Sequence, residues 1–278
     1  MTDSKRCDIG SWFILISRFV LYQTFFINRF NTEPNALIIW GRCQRNLDIK
    51  KVKAILISHE HTDHIKGIEK LSARYRIPVY LTPKTLQYCK LQLPPDLVQS
   101  FSHGVNYGIG SFTITPFKKL HDAIDPHSFL VSCYDVTVGV FTDIGKCCEE
   151  VKTHFSKCHA VFLESNYDVN MLHNGTYPYY LKKRISGGFG HLSNDEALDL
   201  FTRHRSPYLS HVFLSHLSRE NNCPDTALQT FLPHSKKIRV VVASREMPSD
   251  VFHILPNNGI SSTNNSMVAY KQLSMFGC

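Results

Sequence analysis

No Cys-x-x-Cys pair occurs anywhere in the chain, although it holds nine cysteines. That absence argues against zinc ribbons and thioredoxin-like redox motifs, which need two thiolates at close spacing. The odd count and irregular placement read as reduced thiols in a reducing compartment. Cys147 and Cys148 are adjacent and cannot easily serve one zinc together. No apolar run is long enough to cross a bilayer comfortably: the richest, Trp12 to Ile27, is interrupted by Arg18 and Gln23. Lys5 and Arg6 precede it, but no small-residue cleavage site follows, so the expectation is a cytoplasmic protein with no membrane partner. Internal repeats are missing, which excludes solenoids and propellers. Charge is sparse at 19% of residues, yet one-sided, with 31 Lys and Arg against 23 Asp and Glu, a net of +8. The imbalance is compatible with a polyanionic partner but does not locate the basic surface. Histidine is plentiful by contrast: there are fifteen, concentrated beside short apolar runs.

With 278 residues, 43% of them hydrophobic, the chain can bury a sizeable core. From Val52 onward short β-type runs alternate with helical patterns, the signature of a layered α/β domain. Val52–Ile57 reads as a buried strand that ends at Ser58 in a His-rich loop. Asp63 stands where a helix should begin, and Ile65, Ile68, Leu71 and Tyr75 recur at helical spacing. Strands are expected at Val79–Leu81, Ser111–Phe117, Ser128–Cys133, Val136–Phe141, Ala160–Glu164, Val212–Leu214 and Ile238–Ala243. Helices are expected over Pro83–Lys90, Lys146–Lys157 and Asn194–His204, the last with Ser193 and Glu196 as a capping box. Asn174 to Gly190 reads as a loop carrying the basic cluster Lys182, Lys183 and Arg184. Residues 255–278 read as a polar, weakly ordered tail.

The chemistry concentrates in His59-Glu60-His61-Thr62-Asp63-His64, four potential ligands in six positions directly after a buried strand. In an extended loop His59 and His61 can point to one side, while Asp63 and His64 project differently from the start of the next helix. One loop can therefore feed two neighbouring ions. Imidazole suits zinc, iron or manganese, and a carboxylate adds a hard ligand. Further candidates stand at strand mouths: His121 in Lys119-Leu120-His121-Asp122, Asp143 in Phe141-Thr142-Asp143, and His216 in Leu214-Ser215-His216. A polar group there is costly without a partner.

In order and spacing, His59 through His64, His121, Asp143 and His216 resemble the motifs of the metallo-β-lactamase superfamily. The wording of His121–Pro126, Leu163–Asp168, Gly190–Asn194 and Leu214–Ser218 is similar to its YycJ/WalJ-type members, nucleases and phosphodiesterases rather than antibiotic-degrading enzymes. The resemblance runs from about Asp48 to Ile254. It implies an αββα four-layer sandwich and two divalent ions, Zn²⁺ first and Mn²⁺ or Fe²⁺ as alternatives. By that resemblance His59, His61 and His121 would hold one ion, Asp63, His64 and His216 the other, and Asp143 would bridge them. Asp63 would also orient the attacking water. His191, between Gly190 and a helix start, is the candidate proton donor or phosphate contact. Lys182, Lys183 and Arg184 would grip flanking phosphates of a nucleic acid, and His127, Asn166 and His173 would orient ligands. The implied activity is a phosphodiesterase or nuclease. Alternatives are a thioester, lactone or cyclic phosphodiester hydrolase of the same fold, and a non-catalytic, metal-stabilised nucleic-acid binder.

The superfamily's glycine-rich hairpin and Asp-x-Gly strand end are missing from residues 1–46, where Ala36–Ile39 runs into Trp40-Gly41-Arg42. The expected division is therefore an atypical segment 1–46, a hydrolase domain 47–254 and the tail. A segment read from a shifted frame, or replaced, would leave the sheet without one or two central strands and with an uncovered edge. No methionine lies between Met1 and Met171, so an internal start would not supply a complete domain.

Overall fold

The computed structural model describes the backbone of residues 13–18, 23–29 and 36–41 and, with side chains, residues 49, 52–244 and 252–256. The strands run in chain order as β1 (Phe13–Arg18), β2 (Gln23–Arg29), β3 (Ala36–Gly41), β4 (Val52–Leu56), β5 (Val79–Leu81), β6 (Val98–Ser100) and β7 (Tyr107–Ile109). They continue as β8 (Phe112–Lys118), β9 (His127–Cys133), β10 (Val136–Phe141), β11 (Ala160–Glu164), β12 (His211–Ser215), β13 (Arg239–Val242) and β14 (Phe252–Ile254). Two seven-stranded sheets result, ordered β14-β3-β2-β1-β4-β5-β6 and β13-β12-β11-β10-β9-β8-β7. The helices are α1 (Thr62–Ile65), α2 (Ile68–Tyr75), α3 (Pro83–Cys89), α4 (Glu149–Phe155), α5 (Val169–Asn174), α6 (Tyr179–Ser186), α7 (Asn194–His204) and α8 (Pro224–Ser235).

The period-two geometry of a strand sends alternate side chains to opposite faces, and the core divides accordingly. Ala54 and Leu56 of β4, Val138 and Val140 of β10, Ala160 and Phe162 of β11 and Phe252 of β14 share one cluster between the sheets. The alternate residues Val161 and Leu163 meet Val151 and Phe155 of α4, Leu200 and Phe201 of α7 and Phe231 of α8. On the far side, Ile55 and Ile57 pack with Ile68, Leu71 and Leu86 from the helices after β4 and β5. Helix, sheet, sheet and helix are therefore stacked as the αββα expectation requires. Phe162 and Phe213 stack at 5.0 Å between the sheets, and full burial of each stabilises the fold by about 2–3 kcal/mol.

Several local expectations need correction. The stretch expected as a loop from Asn174 to Gly190 contains α6, capped by Pro178 and Gly187. None of its residues is buried, so it lacks the apolar stripe by which helices are read. The helix expected through Ile65 and Tyr75 breaks at Gly67, whose φ of 85° divides α1 from α2. Helix α8 was not foreseen; Pro224 sits at its first turn, where no donor is lost, while Pro233 lies inside it near the end. Strand β4 is interior to its sheet, since β1 pairs with it in parallel and β2 and β3 follow antiparallel. Backbone pairing does not need the family's wording, so residues 13–18 occupy the place that the sequence left vacant. The expected tail, residues 255–278, lies outside the described residues from 257 onward. Cys89, Cys133, Cys147, Cys148 and Cys158 are free thiols, as expected, but Cys223 is disulfide-bonded.

His211 on β12 lies between the sheets, stacked on Phe213 and edge-on to Phe252 of β14. Burial, with the Arg239 charge in the same direction, lowers its pKa to about 4. The unfolded chain therefore binds a proton at higher pH than the native one, and native stability falls as pH drops from 6.5 towards 4. Between pH 7 and pH 5 the loss from this residue is about 1–2 kcal/mol. Urea midpoints at both pH values for the wild type and His211→Phe check this: the variant's midpoint should move less. An equal shift in both proteins would exclude His211 as the source.

Candidate metal centre

Every donor cluster stands where strands release the chain at their carboxyl ends, the usual place for a site in a parallel sheet. Beyond β4 come Ser58 and the His-rich loop; beyond β8, His121; beyond β10, Asp143; at the end of β11, Glu164; beyond β12, His216. Asp143 and His216 both hold left-handed backbone, with φ of 56° and 61°. Such conformations are uncommon for residues with side chains and concentrate at functional sites.

The first loop is fixed by Ser58, whose hydroxyl lies 2.9 Å from His59 Nδ1 and 3.1 Å from His64 Nδ1. Both rings are buried, and His59 Nε2 is left facing His61 Nδ1 at 3.1 Å. His61 Nε2 donates to the Asp122 carbonyl at 3.1 Å, and His121 Nδ1 donates to the Gly190 carbonyl at 2.9 Å. These backbone contacts fix the rings so that their other nitrogens converge.

Three overlapping groups place their donor atoms within 4.8 Å of one another: His59, His61 and His121; His59, His64 and Asp143; and Asp143, Glu164, His191 and His216. Burial holds His59 well below the usual histidine range, helped by the neighbouring His64 and Lys119 charges. Burial likewise takes His121 down to about 3, against the opposing pull of Asp143. Both rings are therefore neutral near pH 7 and offer lone pairs. His121 Nε2 is buried and has no hydrogen-bond partner among the described residues, with Asp122 Oδ1 3.4 Å away. An unsatisfied imidazole nitrogen aimed at other imidazoles is a cost that a cation removes. The donor set, imidazoles with carboxylates, fits a divalent metal.

The expected first trio, His59, His61 and His121, comes together as one group. His64 and His216 both approach Asp143, at 3.4 and 3.3 Å, but they fall in separate groups joined through it. Asp63 is at the margin, about a third exposed, with Oδ2 3.5 Å from His64 Nε2. His191 is inside the centre, its ring 4.8 Å from that of His216 and 5.3 Å from that of His121. Asn166 Nδ2 donates to the His216 carbonyl at 2.7 Å and so holds that loop. His127 Nδ1 bonds instead to the Asp125 carbonyl and its ring packs edge-on to Phe101, while His173 is exposed beside Asn174. Of the basic cluster, Arg184 Nε donates to Asp122 Oδ2 at 2.6 Å and Lys182 Nζ to the His173 carbonyl at 2.7 Å.

Glu164 is the residue that sequence reasoning passed over. Fully buried, it accepts from the Asp143 amide at 3.2 Å, the Ile144 amide at 2.8 Å and the Leu192 amide at 3.2 Å. His191 Nδ1 lies 3.0 Å from its Oε1, and His216 Nδ1 is in direct contact with the same oxygen. The available signal was the one that marked Asp143, a carboxylate ending a wholly apolar strand.

Residues 34–216 match the family model of the β-lactamase superfamily domain. Exodeoxyribonuclease YycJ of Bacillus anthracis is 33% identical over 187 residues, 66% of this chain and 71% of that protein. Exodeoxyribonuclease WalJ of Streptococcus pneumoniae is 32% identical over 184 residues, 64% of this chain and 68% of that one. Among solved structures, the metallo-β-lactamase-fold protein YhfI of Bacillus subtilis aligns with a TM-score of 0.62 at 14% identity, covering 87% of this chain and 100% of its own.

Proposed function

This chain belongs to the metallo-β-lactamase superfamily, a metal-dependent hydrolase, and from that premise we propose that it cleaves phosphodiester bonds of nucleic acid, DNA foremost, at a two-ion centre. The single observation that carries the substrate class is the Arg184–Asp122 contact, which fastens the basic helix α6 to the loop that holds His121. A polyanion lying on α6 is thereby led to the donor cluster. The deoxyribonuclease names of the relatives support the same reading.

In this reading His59, His61, His64, His121, Asp143 and His216 hold the ions, with Asp63 at the margin as a ligand or orienting group for water. Divalent metal there supplies an activated water and neutralises charge on the phosphoryl oxygens. Zinc is the first candidate for this donor set, manganese and iron the others. The remaining work falls to the chain. A carboxylate only accepts, so the contact with Glu164 places the His191 proton on Nδ1 and fixes the ring's orientation. Protonated on both nitrogens, His191 can give the Nε2 proton to the departing alkoxide, and Glu164 stabilises that cationic form. The Lys183 ammonium makes no hydrogen bond or ion pair among the described residues, which leaves it for a phosphate. Among the described residues no helix is long and apolar enough to cross a membrane.

The test is a substrate panel on protein loaded with Zn²⁺ or Mn²⁺: bis(p-nitrophenyl) phosphate, then labelled single- and double-stranded DNA and RNA. Shortening of an oligonucleotide that stops with EDTA is the expected result. Hydrolysis of the small ester or of a thioester with every oligonucleotide untouched would overturn the nuclease reading.

A further inference from the structure

We propose that Lys119 is a positioning residue of the metal centre: with Glu164 on the opposite side, it clamps the Thr142–Asp143 peptide and so aims the Asp143 carboxylate at both halves of the site. This rests on the reading above in which Asp143 serves both ions, and it adds the group that holds Asp143 in place.

Lys119 is 4% exposed, and lysine is almost never buried so far without a partner for its ammonium. It stands just beyond β8, where its amide donates to the Pro126 carbonyl at 3.3 Å. Its Nζ donates to the Thr142 carbonyl at 2.8 Å, one residue before Asp143 and just beyond β10. The two segments continue side by side, for the Gly145 amide donates to the Leu120 carbonyl at 2.7 Å. The ammonium is also close enough to the centre for its charge to act on His59 and His121.

The peptide between Thr142 and Asp143 therefore meets opposite charges at its two ends. In a trans peptide the C=O and N–H point in opposite directions. The oxygen faces the Lys119 cation, and the Asp143 amide faces Glu164 Oε1 at 3.2 Å, with the Ile144 amide adding Glu164 Oε2 at 2.8 Å. Each charge lies at the end of the peptide dipole that attracts it. Turning the peptide over would bring oxygen to the carboxylate and N–H to the ammonium, so both charges oppose the flip. The orientation matters because it sets φ of Asp143, which is 56°. Left-handed backbone is disfavoured for a residue with a Cβ and persists where its surroundings enforce it. A flipped peptide would return φ to negative values, as between the two common turn types. The carboxylate would then leave its present place, where Oδ2 lies 3.4 Å from His64 Nε2 and Oδ1 3.3 Å from His216 Nδ1.

A lysine that only filled space could be exchanged for methionine without loss, since replacing a buried charge by an apolar side chain is often neutral or stabilising. Lys119→Met in the full chain, stripped with EDTA and titrated with Mn²⁺, is therefore the test. The wild type should take up two ions per chain. The variant should bind them about 10- to 100-fold more weakly, as for other residues that orient ligands. Its metal-free Tm should equal or exceed that of the wild type. At saturating Mn²⁺ its kcat on bis(p-nitrophenyl) phosphate should fall with KM little changed. Glu164→Gln acts on the same peptide, so the double variant should lose less affinity than the product of the two single losses. Wild-type affinity in Lys119→Met, whatever its Tm, would overturn the clamp. Tighter Mn²⁺ binding, which removal of a bystander cation would give, would overturn it too, as would a double variant whose loss equals the product. Two ions retained by Asp143→Ala would show instead that the ligand reading fails, and the clamp falls with it.

Discussion

Asp143→Ala is expected to abolish bound metal and turnover together, with kcat/KM on any phosphodiester down by about 10³-fold or more, because several kcal/mol of transition-state stabilisation depend on the ions. Asp143 is the one donor common to the His64 group and the His216 group, so its loss separates the two halves of the centre. The fold should survive, since the residue sits beyond the end of β10 and not in its ladder. Metal content by elemental analysis, with circular dichroism as the control for folding, decides the matter. Two ions per chain retained in the variant would refute a bridging role for Asp143.

Glu164→Gln should have the next largest effect, and on a different quantity. The carboxylate accepts three backbone amides and contacts two imidazoles. A glutamine must turn its NH₂ towards some of those donors, leaving buried groups unsatisfied. Breaking a buried charged hub of this kind costs about 3 kcal/mol, a fall in Tm of about 10 °C for a domain of this size. Activity should drop about 10- to 100-fold through misplaced His191 and His216, as for other residues that orient ligands. Thermal melts of the metal-free and loaded protein measure the first part and steady-state kinetics the second. A variant that melts like the wild type would show that Glu164 does not organise the centre.

What the sequence made legible follows from physics that is local. Four potential ligands in six residues cannot be missed, and the short apolar runs of β10 and β11 announce their strands. Single polar residues at strand mouths pointed to His121, Asp143 and His216. Glu164 carried the same signal, but it was read only as part of the wording Leu163–Asp168, so its role stayed hidden. Helix α6 was illegible because a helix with no buried face has no apolar period. Helix α8 was obscured by two prolines, with only Ala227 and Phe231 buried. The pairing of β1 with β4 was beyond reach for another reason. Hydrogen bonding between strands is a property of backbone, and residues 13–18 carry none of the family's side-chain wording. The basic cluster was found, but only structure shows that Arg184 is committed to Asp122, leaving Lys183 as the charge without a partner among the described residues.

The closing of the first sheet by β14 has a kinetic consequence. Residues 252–254 pair with residues 36–38, so two segments more than two hundred positions apart must meet before β3 is covered on that side. Contacts of such long sequence separation form slowly, after local ones. The meander β7-β8-β9-β10 is built from near neighbours and can form first. Amide protection should therefore appear early at Val131 and Val138 and late at Ile38, when refolding is followed by pulsed hydrogen exchange. The catalytic loops then belong to a molecule whose second sheet is set while its first is still open.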